Sequence, residues 1–140
     1  MSWTASRAYF KTIIEARNFA LHPDAFDVEN IPSTVLDKSY HLTFGPVTGL
    51  GLENCALDSS FPVVVRLFFK GLPAQPNDAV DRSILFSETF TKDLLKPTNR
   101  LTGLLKNVNL ESVSFDQLSA SNDHSVIATL IFNCRVWLEL

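Results

Sequence analysis

Apolar positions along the chain switch between helical and strand periods, and each switch marks an element. Residues 4–19 repeat at helical spacing. Tyr9, Ile13 and Ala16 share a stripe that Phe10 and Ile14 widen, while Arg7, Lys11, Glu15 and Arg17 supply the wet side. Ser2 or Thr4 is placed to cap this helix, and Trp3 stands ahead of it, in reach of the first turn. Residues 22–32 are turn-rich and closed by Pro23 and Pro32, with room for a short strand at 25–29. Over residues 38–48, Tyr40, Leu42 and Phe44 alternate with Ser39, His41 and Thr43, which predicts a half-buried strand. Gly45-Pro46 interrupts it as a bulge, a bend or an edge, because proline cannot donate to a ladder. Residues 49–60 read as a loop with two glycines, Glu53, Asn54, Asp58 and two serines. Leu50, Leu52 and Leu57 have little use in a solvated loop, so it either packs on its own sheet or is covered by another chain.

Residues 61–69 give the clearest strand. Val63, Val65, Leu67 and Phe69 form one face and Val64, Arg66 and Phe68 the other, and both faces are apolar enough to expect cover on each. A connector rich in breakers (71–76) leads to a second helix at 77–96. Asp78 and Asp81 resemble a capping box, Val80, Ile84, Phe86, Ser87, Phe90 and Leu94 form the stripe, and Pro97 is the stop. A helical turn is expected at 101–106. A strand follows at 108–118, with a phase change between Leu110 and Val113 that indicates a bulge. After a turn cluster at 119–123, residues 125–140 alternate without a break, with Val126, Ala128, Leu130, Phe132, Cys134, Val136, Leu138 and Leu140 on one face. A strand this long must bend, or leave the domain to meet a partner. Runs of strands joined by turns imply an α+β fold: a mostly antiparallel sheet of four to five strands with two main helices on one face.

The length of 140 residues sets one domain, residues 1–140. A chain of this size buries about two-thirds of its unfolded surface, enough for a core without staples. With 46% apolar and only 19% charged residues, the chain is not disordered, and 11 phenylalanines leave much aromatic surface to hide. A net charge of −3 without a basic run argues against a polybasic nucleic-acid binder. The apolar runs are strand-length, so no membrane span is expected. No basic region followed by an apolar stretch opens the chain, so no secretion signal is expected. Cys55 and Cys134 fit a reduced compartment and are read as small buried hydrophobes, with a disulfide between them left open.

No arrangement of residues points to catalysis, a metal or a cofactor, and no enzyme activity is expected. The chain lacks a glycine-rich phosphate cradle and a nucleophile elbow. His22, His41 and His124 are too scattered for a zinc site, and His41 reads as a solvated or hydrogen-bonded strand residue. Asp58, Ser59 and Ser60 read as turn formers rather than a nucleophile with its carboxylate. Asp78 and Asp81 read as complements to the helix dipole rather than an acid–base pair. Lys11, Arg17, Arg66 and Arg135 form no contiguous basic run. What remains is apolar and aromatic surface. Arg66, Phe68, Arg135 and Trp137 on strand faces, with Leu50 and Leu52 in the loop, are therefore the candidate subunit-interface residues, since aromatic residues and arginine are enriched at interface cores.

The chain resembles the tail terminator (tail completion) proteins of long-tailed bacteriophages, the lambda-like minor tail protein family, over nearly its whole length. The resemblance rests on size, element order and local runs. These are Ile31-Pro32, then Phe44-Gly45-Pro46-Val47-Thr48-Gly49, then Phe61-Pro62-Val63-Val64-Val65-Arg66-Leu67-Phe68-Phe69 leading to Leu72-Pro73-Ala74-Gln75-Pro76-Asn77-Asp78. A strand entering a Leu-Pro-Ala-Gln connector before an acidic-capped helix is the most specific match. Residues 37–60 are longer than the family pattern, and residues 97–107 form an insert. The resemblance implies a homohexameric ring at the head-proximal end of the tail tube, in the virion and assembled in the host cytoplasm. The ring would stop tube polymerisation, with the tail tube protein on one side and a neck or head-completion protein on the other. DNA would pass through the lumen without specific binding, which the acidic balance suits. Two alternatives are a head-completion or stopper protein of the same neck and a small-ligand-binding α+β domain.

Overall fold

A computed structural model describes residues 2–22, 26, 31–53, 55–96, 107–118 and 124–139. The element order is α1 (Trp3–Glu15), β1 (Ala20–Leu21), α2 (Ser33–Leu36), β2 (Ser39–Phe44), β3 (Thr48–Glu53), β4 (Ala56–Phe69), α3 (Asp78–Leu95), β5 (Asn107–Gln117) and β6 (Val126–Glu139). The fold is α+β: one six-stranded, mostly antiparallel sheet in the order β1-β2-β4-β6-β5, with β3 also on β4. Only the β1–β2 pairing is parallel.

The first helix is shorter than its stripe predicts. Ser2 is its cap, accepting from the Ala5 amide at 3.0 Å. Asn18 adopts a left-handed φ of 65° just past its end, which turns the chain early enough for Ala20 and Leu21 to join the sheet. The second helix also begins differently from the expected box. Asn77 makes no side-chain cap bond, and Asp78 instead pairs with Arg82 at 2.8 Å one turn on. The expected strand at 25–29 and helical turn at 101–106 lie outside the described residues, except that Phe26 is placed.

Both long helices cover one face of the sheet, called inner here. Phe132 on β6 meets Phe10 of α1 at 5.6 Å and Phe90 of α3 at 6.0 Å between ring centres. Phe86 of α3 meets Phe69 at 5.7 Å and Phe19 at 4.6 Å. The Tyr9 hydroxyl ties the helices together, donating to the Leu94 carbonyl at 2.7 Å, and Arg17 pairs with Asp93 beside it. Within the predicted stripe of α3, Phe90 and Leu94 are buried, whereas Ile84 faces out.

The outer face differs from the expected double cover. At one end Phe26 lies against Phe68, 5.6 Å between rings, and Phe68 is buried. Further along the same face Pro62, Val64 and Arg66 are only half-buried. The phase change in the fifth strand is present, as a register shift between Leu110 and Ser112.

The largest departure concerns residues 49–60, which form strand rather than loop. β4 begins at Ala56, and β3 runs back along its first half. β2 and β3 line the same edge of β4 in succession, with a bend at Gly45 between them. The Gly45 amide bonds the Pro62 carbonyl at 2.9 Å, and a Cβ on Gly45 would lie 2.2 Å from the Pro62 ring, so only glycine fits that corner. The last strand therefore needs no partner chain to continue. β6 pairs with β4 over its whole length, from Phe69↔Val126 to Ala56↔Glu139.

Candidate functional site

The 14-residue length of β4 and of β6 carries the sheet beyond the described helices. α1 starts at Trp3, whose indole Nε1 donates to the Ser59 hydroxyl at 3.1 Å. Among the described residues no helix continues over the inner face past Ser59, and the sheet extends as an arm of β3, the start of β4 and the end of β6. Across the arm the register aligns Leu52, Leu57 and Leu138 in one row on the inner face. Leu57 and Leu138 are half-buried, whereas Leu52, on the outside of the row, is 71% exposed. Leu50 stands at the register shift between Gly49 and Gly51 and is 50% exposed. Gly51 sits at φ +124°, where a side chain would be strained, so the pair of glycines lets the strand bulge. Cys55 follows the arm's turn, exposed at φ 62°, unlike buried Cys134. Both thiols are free, and only Cys134 matches the expected small buried hydrophobe.

The arm's outer face is held by a charge pair whose carboxylate is buried and whose arginine is partly exposed. Asp58 is buried, opposite Trp137 in register, and accepts from Arg135 Nε at 2.9 Å while the guanidinium's outer nitrogen bonds its second oxygen. This fork is the geometry in which arginine and carboxylate bind most strongly. Asp58 is therefore a strand residue with a charged partner, not a turn former. Trp137 beside the pair is 43% exposed.

Of the six interface candidates, the structure brings four to the arm: Leu50, Leu52, Arg135 and Trp137. Arg66 stays on the body's outer face, between His41 and Thr129 in register. Phe68 does not offer contact surface, because its ring is spent against Phe26 within the chain. The His41 ring is likewise engaged, its Nδ1 bonding the His22 carbonyl at 3.0 Å. Among the described residues no group of three or more His, Cys, Asp or Glu converges to hold a metal. No helix among them is long and apolar enough to cross a membrane.

A second apolar feature was not legible in the sequence. On the opposite edge of the sheet, α3 and β5 leave a cleft of about 470 Å³ between them. Ile84, Leu110, Val113 and Phe115 line it, together with Ser87, whose buried hydroxyl has no hydrogen-bond partner. The neighbouring helix hydroxyls behave differently: Ser83 donates back to Val80 and Thr89 to Leu85. The helix stripe placed Ile84 and Ser87 on one side, but nothing local in sequence sets them beside β5.

By fold and surface the molecule is an α+β sandwich with a partly covered outer face and unlike apolar surfaces at two edges of its sheet. No protein-family model matches the chain, and a search of curated proteins finds no relative.

Proposed function

We propose that the chain is a structural assembly protein whose copies close into a ring, and that this ring is the tail terminator its sequence resembles. The observation that carries the reading is the arm. It carries Leu50 and Leu52 exposed on one edge and Trp137 exposed on the opposite, outer face, and exposed large apolar side chains gathered on one projection are what interaction sites present. A closed ring needs heterologous contacts, so each copy must carry two different sticky surfaces. The arm and the cleft at opposite sheet edges meet that need. In this reading the ring ends the tail tube at the head side, meets the neck protein on its other face, and passes DNA through an acidic lumen.

Two measurements test it. Light scattering on the sized, purified chain is expected to give a closed oligomer, six copies by the resemblance; a monomer at concentrations well above micromolar overturns the reading. Particles assembled without the chain are expected to carry over-long tails. Full-length tails beside leaking heads would support the stopper function instead.

A further inference from the structure

We propose that the leucines of the arm seat in the α3–β5 cleft of a second copy of this chain, an inference that rests on the ring reading above. The two surfaces lie on the same, inner side of one sheet: Leu52 in the leucine row, and Val113 and Phe115 on the residues of β5 that face α3. They also lie at opposite edges, β3 on one flank of β4 and β5 beyond β6 on the other. A chain cannot bring its own arm to its own cleft across that sheet, so a neighbour must supply it. Same side and opposite edges are the relation that sets copies side by side, head to tail, and lets a rotation close them.

The chemistry of the two surfaces matches. The cleft presents aliphatic and aromatic walls, with Glu88 and Lys92 of α3 also lining it, to receive exposed leucine side chains. Leu50, the residue at the arm's bulge, is left out of the β3–β4 ladder and is 50% exposed, so it can enter beside Leu52. The edge strands β3 and β5 each carry a register shift, which discourages a long regular ladder between copies along them. The contact is thus a knob in a cleft rather than a continued sheet.

A complementation experiment decides this. Leu52→Glu disables the arm and Ile84→Glu the cleft, and both residues are exposed, so each variant should fold with the wild-type circular dichroism spectrum. Sedimentation velocity is expected to show each variant alone as a monomer. An equimolar mixture is expected to form a dimer of one copy each and go no further, because one intact arm meets one intact cleft. If the wild type forms rings while either variant also does, the assigned surface is wrong. If both variants are monomeric and the mixture stays so, the two surfaces do not meet each other and the inference falls, although the ring reading survives. A monomeric wild type removes both.

Discussion

Along β4 the residues on either side of Phe61 follow one alternation but meet different surroundings. In the body, Val63, Val65 and Leu67 pair with Phe132, Leu130 and Ala128 and are fully buried under α1 and α3. In the arm, Leu57 continues the same face and pairs with Leu138, yet its outer neighbour Leu52 stands in solvent. The strand pattern is identical because alternation records only which way side chains point. Whether that side is covered depends on a second layer, and the helix layer ends at Trp3. An apolar row that outlasts its cover is therefore more informative about function than the core itself.

The contrast gives graded expectations for single substitutions. Phe132→Ala removes the ring at the centre of the body, packed on both helices, and should cost about 3–5 kcal/mol of unfolding free energy. Urea denaturation measures it, and a loss under 1 kcal/mol would mean the helices do not pack as described. Next in size is the charge pair that braces the arm. Arg135→Ala leaves the Asp58 carboxylate buried without its fork and should cost about 2 kcal/mol. The damage should be local, with faster amide exchange at 56–60 and 135–139 than in the rest of β4 and β6. The double variant Asp58→Ala/Arg135→Ala should cost less than the two single losses added.

Much of the body is legible in sequence because its elements are long and periodic. The strands at 61–69, 108–118 and 125–140 announce themselves by alternation, and even the slip after Leu110 is visible as a change of phase. The arm is harder to see. Gly49 and Gly51 break the alternation of β3, and Asp58, Ser59 and Ser60 look like a turn although Leu57, Ser59 and Phe61 already keep the beat of β4. Asn54-Cys55, between Glu53 and Ala56, is not one of the glycine-bearing pairs that signal a two-residue hairpin. Pairings between distant residues leave no local trace. Asp58 meets Arg135 across 77 positions and Phe68 meets Phe26 across the sheet's outer face, so neither the brace of the arm nor the loss of Phe68 as contact surface follows from pattern.

The body also stores a pH dependence at high pH. Burial pushes the Cys134 thiol up to about 12. Tyr40 is raised further, first by burial and then by its hydrogen bond to Glu15. In the unfolded chain these groups ionise near about 8.5 and 10. Above those values the unfolded state loses protons that the folded state keeps, so stability falls as pH rises. The thiol alone should contribute a slope of up to about 1.4 kcal/mol per pH unit between roughly pH 9 and 11. Denaturation midpoints across that range test it: Cys134→Ala should flatten the early part of the decline, and an unchanged slope would exclude the thiol as its source.

The smallest effect on folding is expected where the effect on assembly is greatest. Leu130→Ala in the body should cost about 2–5 kcal/mol, because that side chain is fully buried and leaves a cavity. The same truncation at Leu52, 71% exposed, should change monomer stability by no more than about 0.5 kcal/mol. Truncating Leu52 removes no cavity-filling atoms within the chain, so any larger consequence has to come from a surface it meets elsewhere. Denaturation and light scattering on Leu52→Ala separate the two roles. Wild-type unfolding with a weakened ring assigns Leu52 to contact between copies. A loss of stability near that of Leu130→Ala would instead place Leu52 under cover within its own chain and erase the distinction between arm and body.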